Sequence, residues 1–121
     1  MLQAGEVVEC GTRRFHVHPR DLDAVARMRE HLIDAARAGE TVTYGELVRE
    51  AELPVPPKAL GRLLVLLSED CARRGEPTLA AIVVTASTRE VGDGYGPGAD
   101  RDREDLRRFW ARRAAARDRA R

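Results

Sequence analysis

The stretch "LPVPP", residues 53–57, constrains this chain more than any other. Each proline fixes its own φ near about −65° and pushes the residue before it out of the helical region, so no helix can run through. The apolar periodicity on either side must therefore fold as two helices joined by a short, stiff connector. Upstream, "TVTY" reads as a short β element and Thr43 as the cap of a helix starting near Gly45. Glu46 falls in its first turn, and Leu47, Val48 and Ala51 form its apolar side. Downstream, "PKALGRLLVLLSEDCARR" reads as a helix from Pro57 to Arg74 closed by Gly75. Ala59, Leu60, Leu63, Leu64, Leu66, Leu67 and Cys71 cover more than half its circumference, which makes it the central core helix. The pair has the form of a helix-turn-helix.

The flanks extend this unit. "GEVVECGTRRFHVHP" alternates weakly around Gly11-Thr12 and predicts a hairpin closed by Pro19. Leu22, Val25, Met28, Leu32, Ile33 and Ala36 keep helical spacing, so Asp21 to Ala38 is an amphipathic helix ended by Gly39. "TLAAIVVTA" is the best strand candidate, being nearly all apolar and β-branched towards its end. "STREVGDGYGPG" reads as a glycine-rich hairpin or wing. The tail is helical from about Arg101, anchored by Leu106, Phe109, Trp110 and Arg113. The expected fold is α+β: a winged helix-turn-helix at 21–99, with an N-terminal β-hairpin extension at 1–20 and a C-terminal arginine-rich helix at 100–121.

Charge narrows the partners only locally. Lys and Arg number 21 against 20 Asp and Glu, for a net charge of +1. The distribution is uneven, since beyond Asp105 only Asp118 opposes Arg107, Arg108, Arg112, Arg113, Arg117, Arg119 and Arg121. The N-terminus lacks the basic and apolar regions of a signal peptide, and no apolar run approaches the roughly 20 residues of a membrane span. A cytoplasmic location without membrane contact is the expectation. Cys10 and Cys71 make no disulfide framework.

"GETVTYGELVREAELPVPPKALGRLL" together with "LAAIVVTASTREVGDGYGPG" resembles the C-terminal domain of O6-alkylguanine-DNA alkyltransferases and their alkyltransferase-like relatives. That family carries a V-T/S-Y-G-E-L-A segment, an R-A-V-G-x-A recognition helix, an I-P-C-H-R-V active-site segment and a G-x-x-G-Y-x-G-G loop. The resemblance covers roughly Gly39 to Gly98. It implies a winged helix whose second helix enters the DNA minor groove, with Tyr44 near a phosphate. Lys58 falls where the family has the arginine that fills the stack vacated by a flipped base, and Arg62 lies one turn later. Lysine pairs with phosphate but has no planar face to stack. Where the family has P-C-H-R this chain has "VVTAST", with no nucleophilic thiol for alkyl transfer. No enzyme activity and no cofactor are expected.

Other chemistry is thinly represented. His16 and His18 share one strand face and Cys10 could lie across the hairpin, but a zinc site needs three or four ligands at defined spacing, so no metal is expected. Glu69, Asp70, Glu76, Asp93 and Asp100 show no paired spacing for two-metal chemistry. "GDGYGPG" does not open a helix and is no phosphate loop. The expected partner is double-stranded DNA, contacted by Thr43, Tyr44, Lys58, Arg62, Arg89, Tyr95, Arg107, Arg108 and Arg112. A protein-interaction module or homodimer on the same scaffold is the alternative. A basic patch joining Lys58, Arg62, Arg89 and the terminal arginines would favour DNA; an exposed leucine strip with interspersed acids would favour protein.

Overall fold

The computed structural model describes residues 2–92, 95 and 97–119, with side chains described as far as Arg113. Asp93 and the side chains of Arg117, Arg119 and Arg121 lie outside the described residues. The fold is α+β. Strands β1 (Val7–Cys10) and β2 (Arg13–His16) form an antiparallel hairpin, with Val8 opposite Phe15. Helix α1 (Pro19–Arg37) follows, then β3 (Val42–Thr43), α2 (Tyr44–Glu50), a 3-10 turn (Pro57–Ala59) and α3 (Leu60–Arg73). A second 3-10 turn (Leu79–Ile82) leads into β4 (Val83–Val84), which pairs in parallel with β3, and α4 (Ala99–Arg119) closes the chain.

The helix ends follow from local chemistry. Thr43 caps α2, its hydroxyl accepting from the Glu46 amide at 3.1 Å and donating to the Glu46 carboxylate at 2.9 Å. Helices α1 and α3 stop at glycines in the left-handed region, Gly39 (φ 71) and Gly75 (φ 70). Each carries the paired bonds of a Schellman motif, here Glu40 N–H to Ala35 C=O and Glu76 N–H to Cys71 C=O. Helix α2 ends in the same motif without a glycine, since Glu52 (φ 53) takes the left-handed position and Leu53 N–H reaches Val48 C=O. Arg27 of α1 donates to the Glu52 carbonyl at 2.8 Å, so a neighbouring helix holds that strained end in place.

One core cluster runs through all of this. Met28 and Leu32 of α1, Leu47 of α2, Leu60, Leu66 and Leu67 of α3, Leu79, Ile82 and Leu106 are fully enclosed. The hairpin contributes Val8, Phe15 and Val17, and α4 contributes Trp110. Two arginines of α3 lace the hairpin to it: Arg62 reaches the His16 carbonyl at 2.5 Å, and Arg73 reaches Glu6 at 2.5 Å. No helix is long and apolar enough to cross a membrane, among the described residues.

Two expectations need correcting. "TLAAI" is not strand. The Thr78 hydroxyl accepts from the Ala80 amide at 3.2 Å and nucleates a turn, and the alanines carry little β preference. Only Val83–Val84 pairs, because β3 offers just two residues before Tyr44 begins a helix. The segment after β4 is also no hairpin: among its described residues it has no strand, and closes on itself through Thr85 N–H to Glu90 C=O at 2.8 Å.

Candidate functional site

The site begins with the connector. Leu53 is buried and Val55 half-buried, so the prolines ride on anchored apolar residues and deliver the start of α3 to the surface. There Lys58, Ala59 and Gly61 are all exposed. Lys58 makes no ion pair among the described residues. Gly61 is the more informative residue. It sits in the first turn of α3, and a Cβ built on it meets nothing within 4 Å. A helical glycine costs about 1 kcal/mol relative to alanine, and nothing inside this protein requires it.

Arg62 behaves otherwise than expected. Its Nη1 and Nη2 donate to both Asp21 oxygens, at 2.8 and 2.6 Å, besides the His16 carbonyl. Asp21 is 3% exposed, and the Arg62 hydrogen bond holds its carboxyl below the usual aspartate range, against the opposing effect of burial. Arg62 is thus a bracket between α3, α1 and the hairpin, with its charge largely cancelled. Thr43 is likewise committed: it is 7% exposed and its hydroxyl is spent on the α2 cap. Both are framework residues beside Lys58, rather than free phosphate donors.

Tyr44 is half-buried against the core, and its hydroxyl would stand 2.6 Å from a Cβ at Gly92. Gly92 is the position where the glycine-rich loop must leave room for the phenol. Tyr95 is also engaged, donating to the Asp102 carboxylate at 2.6 Å; burial, reinforced by that bond, pushes its ionisation well above the ordinary tyrosine range. The two tyrosines pin the loop to α2 and α4. Arg89 (φ 58) leans towards Glu46 at 3.8 Å across solvent, a pairing of little energetic weight.

The arginines of α4 lie elsewhere. Arg107 donates to the Gly39 carbonyl at 3.4 Å, just past the C-terminus of α1, and Arg108 pairs with Glu104 at 3.1 Å. Arg112 donates to the Arg108 carbonyl at 3.4 Å and has no ion pair among the described residues. Arg62 is bound to Asp21 at the other end of α1, and from Asp21 to Arg37 that helix rises about 24 Å. The structure therefore divides the expected residues. Lys58 and Arg62 lie at one end, Arg107, Arg108 and Arg112 towards the other, and Tyr44, Arg89 and Tyr95 around the loop. Among the described residues these cations fall in separate groups; Arg117, Arg119 and Arg121 lie outside the described side chains. The leucines of α3 make no fully exposed strip: Leu60, Leu63, Leu66 and Leu67 are buried and Leu64 is half-buried.

Sequence reasoning marked Arg113 as part of the anchored side of the last helix and missed Arg37. Arg37 and Arg113 both lie over the Trp110 ring, each 5.7 Å from its centre, and Arg113 also stacks on Phe109 at 4.6 Å. The helical spacing of Phe109, Trp110 and Arg113 hinted at the second; nothing in the sequence linked Arg37 to α4.

Reactive groups offer little chemistry. Cys71 is fully buried and its thiol is pushed up by burial, so it presents no thiolate; Cys10 is exposed. No three His, Cys, Asp or Glu side chains gather as metal ligands among the described residues. A groove of about 490 Å³ between α1 and α3 is walled by Leu22, Val25 and Ile33, and its two arginines are already taken, Arg29 by Glu76 and Arg74 by Asp70. No family model, curated protein or solved structure matches this chain.

Proposed function

We propose that this chain is a non-catalytic DNA-binding protein of the alkyltransferase-like, winged-helix type, which lays the leading end of α3 against duplex DNA. Gly61 carries the reading. Lys58, Ala59 and Gly61 form an exposed surface of one charge and two minimal side chains, where a phosphate-lined groove can come close to the helix backbone. A protein partner would gain from larger anchors at such a position, and of the α3 leucines four are buried and Leu64 is half-buried. The resemblance implies a phosphate contact at Tyr44, which opens α2. The buried Cys71 supports a binding role without alkyl transfer.

The test is a salt titration of binding to short duplex DNA, wild type beside Lys58→Ala. Arg62 stays intact, because its loss would strip Asp21 of its partner and confuse folding with binding. Binding should weaken steeply with salt, and Lys58→Ala should lower affinity and reduce the salt slope by about 1. Absence of duplex binding by the wild type at low salt would sink the reading.

A further inference from the structure

Trp110 is 4% exposed and carries three guanidinium groups, from Arg29, Arg37 and Arg113, each 5.7 Å from the ring centre. Arg29 is also neutralised by a two-pronged bond to Glu76. One stacked and paired arginine satisfies what packing needs. Arg37 and Arg113 add two further charges, and neither has an ion pair among the described residues. Arg107, which donates to the Gly39 carbonyl and has no ion pair among the described residues, adds a third. The carboxylates nearest in sequence, Asp34, Glu40, Glu104 and Asp105, pair with none of the three.

Apart from Arg13, which lies alone over Phe15, the protein's placed arginines are treated differently. Arg27, Arg62, Arg73, Arg74 and Arg103 each meet a carboxylate. Water screens these exposed charges, but gathered around one ring they create a local positive potential that an anion would meet favourably. A guanidinium held flat on an aromatic face still points its N–H edge outward, ready for two-pronged contact with a phosphate. All three side chains are exposed.

We propose that Arg37, Arg107 and Arg113 form a second phosphate-contact site, at the opposite end of α1 from Lys58, through which one molecule engages a second stretch of nucleic-acid backbone. The proposal rests on the reading of the chain as a DNA binder and extends it to a bivalent one. The guanidinium carbons of Arg37 and Arg113 lie within about 11 Å of each other, each being 5.7 Å from the same ring centre. Duplex DNA presents a charge about every 1.7 Å of axis and meets such a spacing in any register; an acidic peptide would have to match it with particular residues. The sequence beyond Arg113 adds Arg117, Arg119 and Arg121 against Asp118.

The experiment is a stoichiometric titration of the full chain with a labelled duplex of about ten base pairs, one helical turn. The wild type should take two duplexes. Arg37→Ala/Arg113→Ala should take one, with the remaining site unchanged in affinity, while Lys58→Ala should weaken only that remaining site. Arg107→Ala leaves the Trp110 stack intact and should weaken the second site at least threefold, so a folding defect in the double variant does not decide the matter. A wild type that takes one duplex through Lys58 alone, or variants at Arg37, Arg107 and Arg113 that leave stoichiometry and salt slope unchanged, would overturn the proposal. Preferential occupation of this site by a polyglutamate peptide would do the same. Duplex binding that depends on these arginines and ignores Lys58 would uphold it while overturning the role given to α3.

Discussion

At the N-terminal end of α1, Arg62 gives both its terminal nitrogens to Asp21 and leaves almost no free charge. At the C-terminal end, Arg37 and Arg113 lie on Trp110 with their charge unopposed. Each arrangement fixes a guanidinium, by different means. The ion pair fixes it by consuming its hydrogen-bond donors, whereas the aromatic stack fixes it through its face and spares them. An immobilised arginine is thus not in itself a sign of structure or of function; which part of the group is used decides.

The largest effect that can break this comparison is loss of the ring. Trp110→Ala should cost about 3–5 kcal/mol, as for other enclosed aromatic side chains, read as a fall in the denaturation midpoint. Removal of Arg113 alone should cost about 1 kcal/mol, because its side chain is exposed and stacking on Phe109 and Trp110 is weak at exposed sites. If the two variants lost similar stability, the arginine would be a structural clamp, like Arg62, and the contrast between the two ends would vanish.

Next in size is Asp21→Ala, expected to cost about 2–3 kcal/mol. It strips Arg62 of its partner and the His18 amide of its acceptor at 2.8 Å, though Arg62, at 35% side-chain exposure, can turn partly to water. The pH dependence has a definite sign. Arg62, with the His18 amide, holds the native Asp21 carboxyl below its ordinary range, so the unfolded chain takes up that proton first on acidification. The stabilisation is complete above the ordinary aspartate pKa and is lost as pH falls towards the depressed native value. Denaturation followed from neutral to acid pH should show a shallower acid limb in the variant. An acid limb unchanged by the substitution would mean that the pair contributes little.

These differences also mark what could be read without coordinates. The connector, the helix spans, the Thr43 cap and the stops at Gly39 and Gly75 were legible because each depends on residues within one turn of one another. "TLAAI" misled because its apolar character reports burial, which a 3-10 turn achieves as well as a strand does. The fate of Arg62 was not legible at all. Its partner Asp21 lies 41 positions away, and an arginine on an exposed-looking helix face reads the same whether it awaits a phosphate or holds a carboxylate. Arg37 and Trp110 were hidden for the same reason. Lys58 could be picked out, but Gly61 could not: only the empty space around its Cβ position shows that the fold itself does not ask for glycine there.

The smallest expected effect on stability is the most telling for function. Gly61→Ala adds a methyl group into open space on a helical backbone, so it should raise stability by about 0.5–1 kcal/mol, through lower unfolded-state entropy and better helix propensity. If α3 presses its leading end against DNA, the same methyl group stands between helix and groove, and duplex affinity should fall even as the melting temperature rises. A fold that had no use for this surface would show the gain in stability with no loss in binding. Lys58→Ala sharpens the result: that exposed side chain should leave stability within about 0.5 kcal/mol while lowering affinity and its salt slope. Loss of binding in both variants, one stabilised and one neutral, separates contact with DNA from folding. Nor could it be produced from the far end of α1, because neither substitution touches Arg37, Arg107 or Arg113.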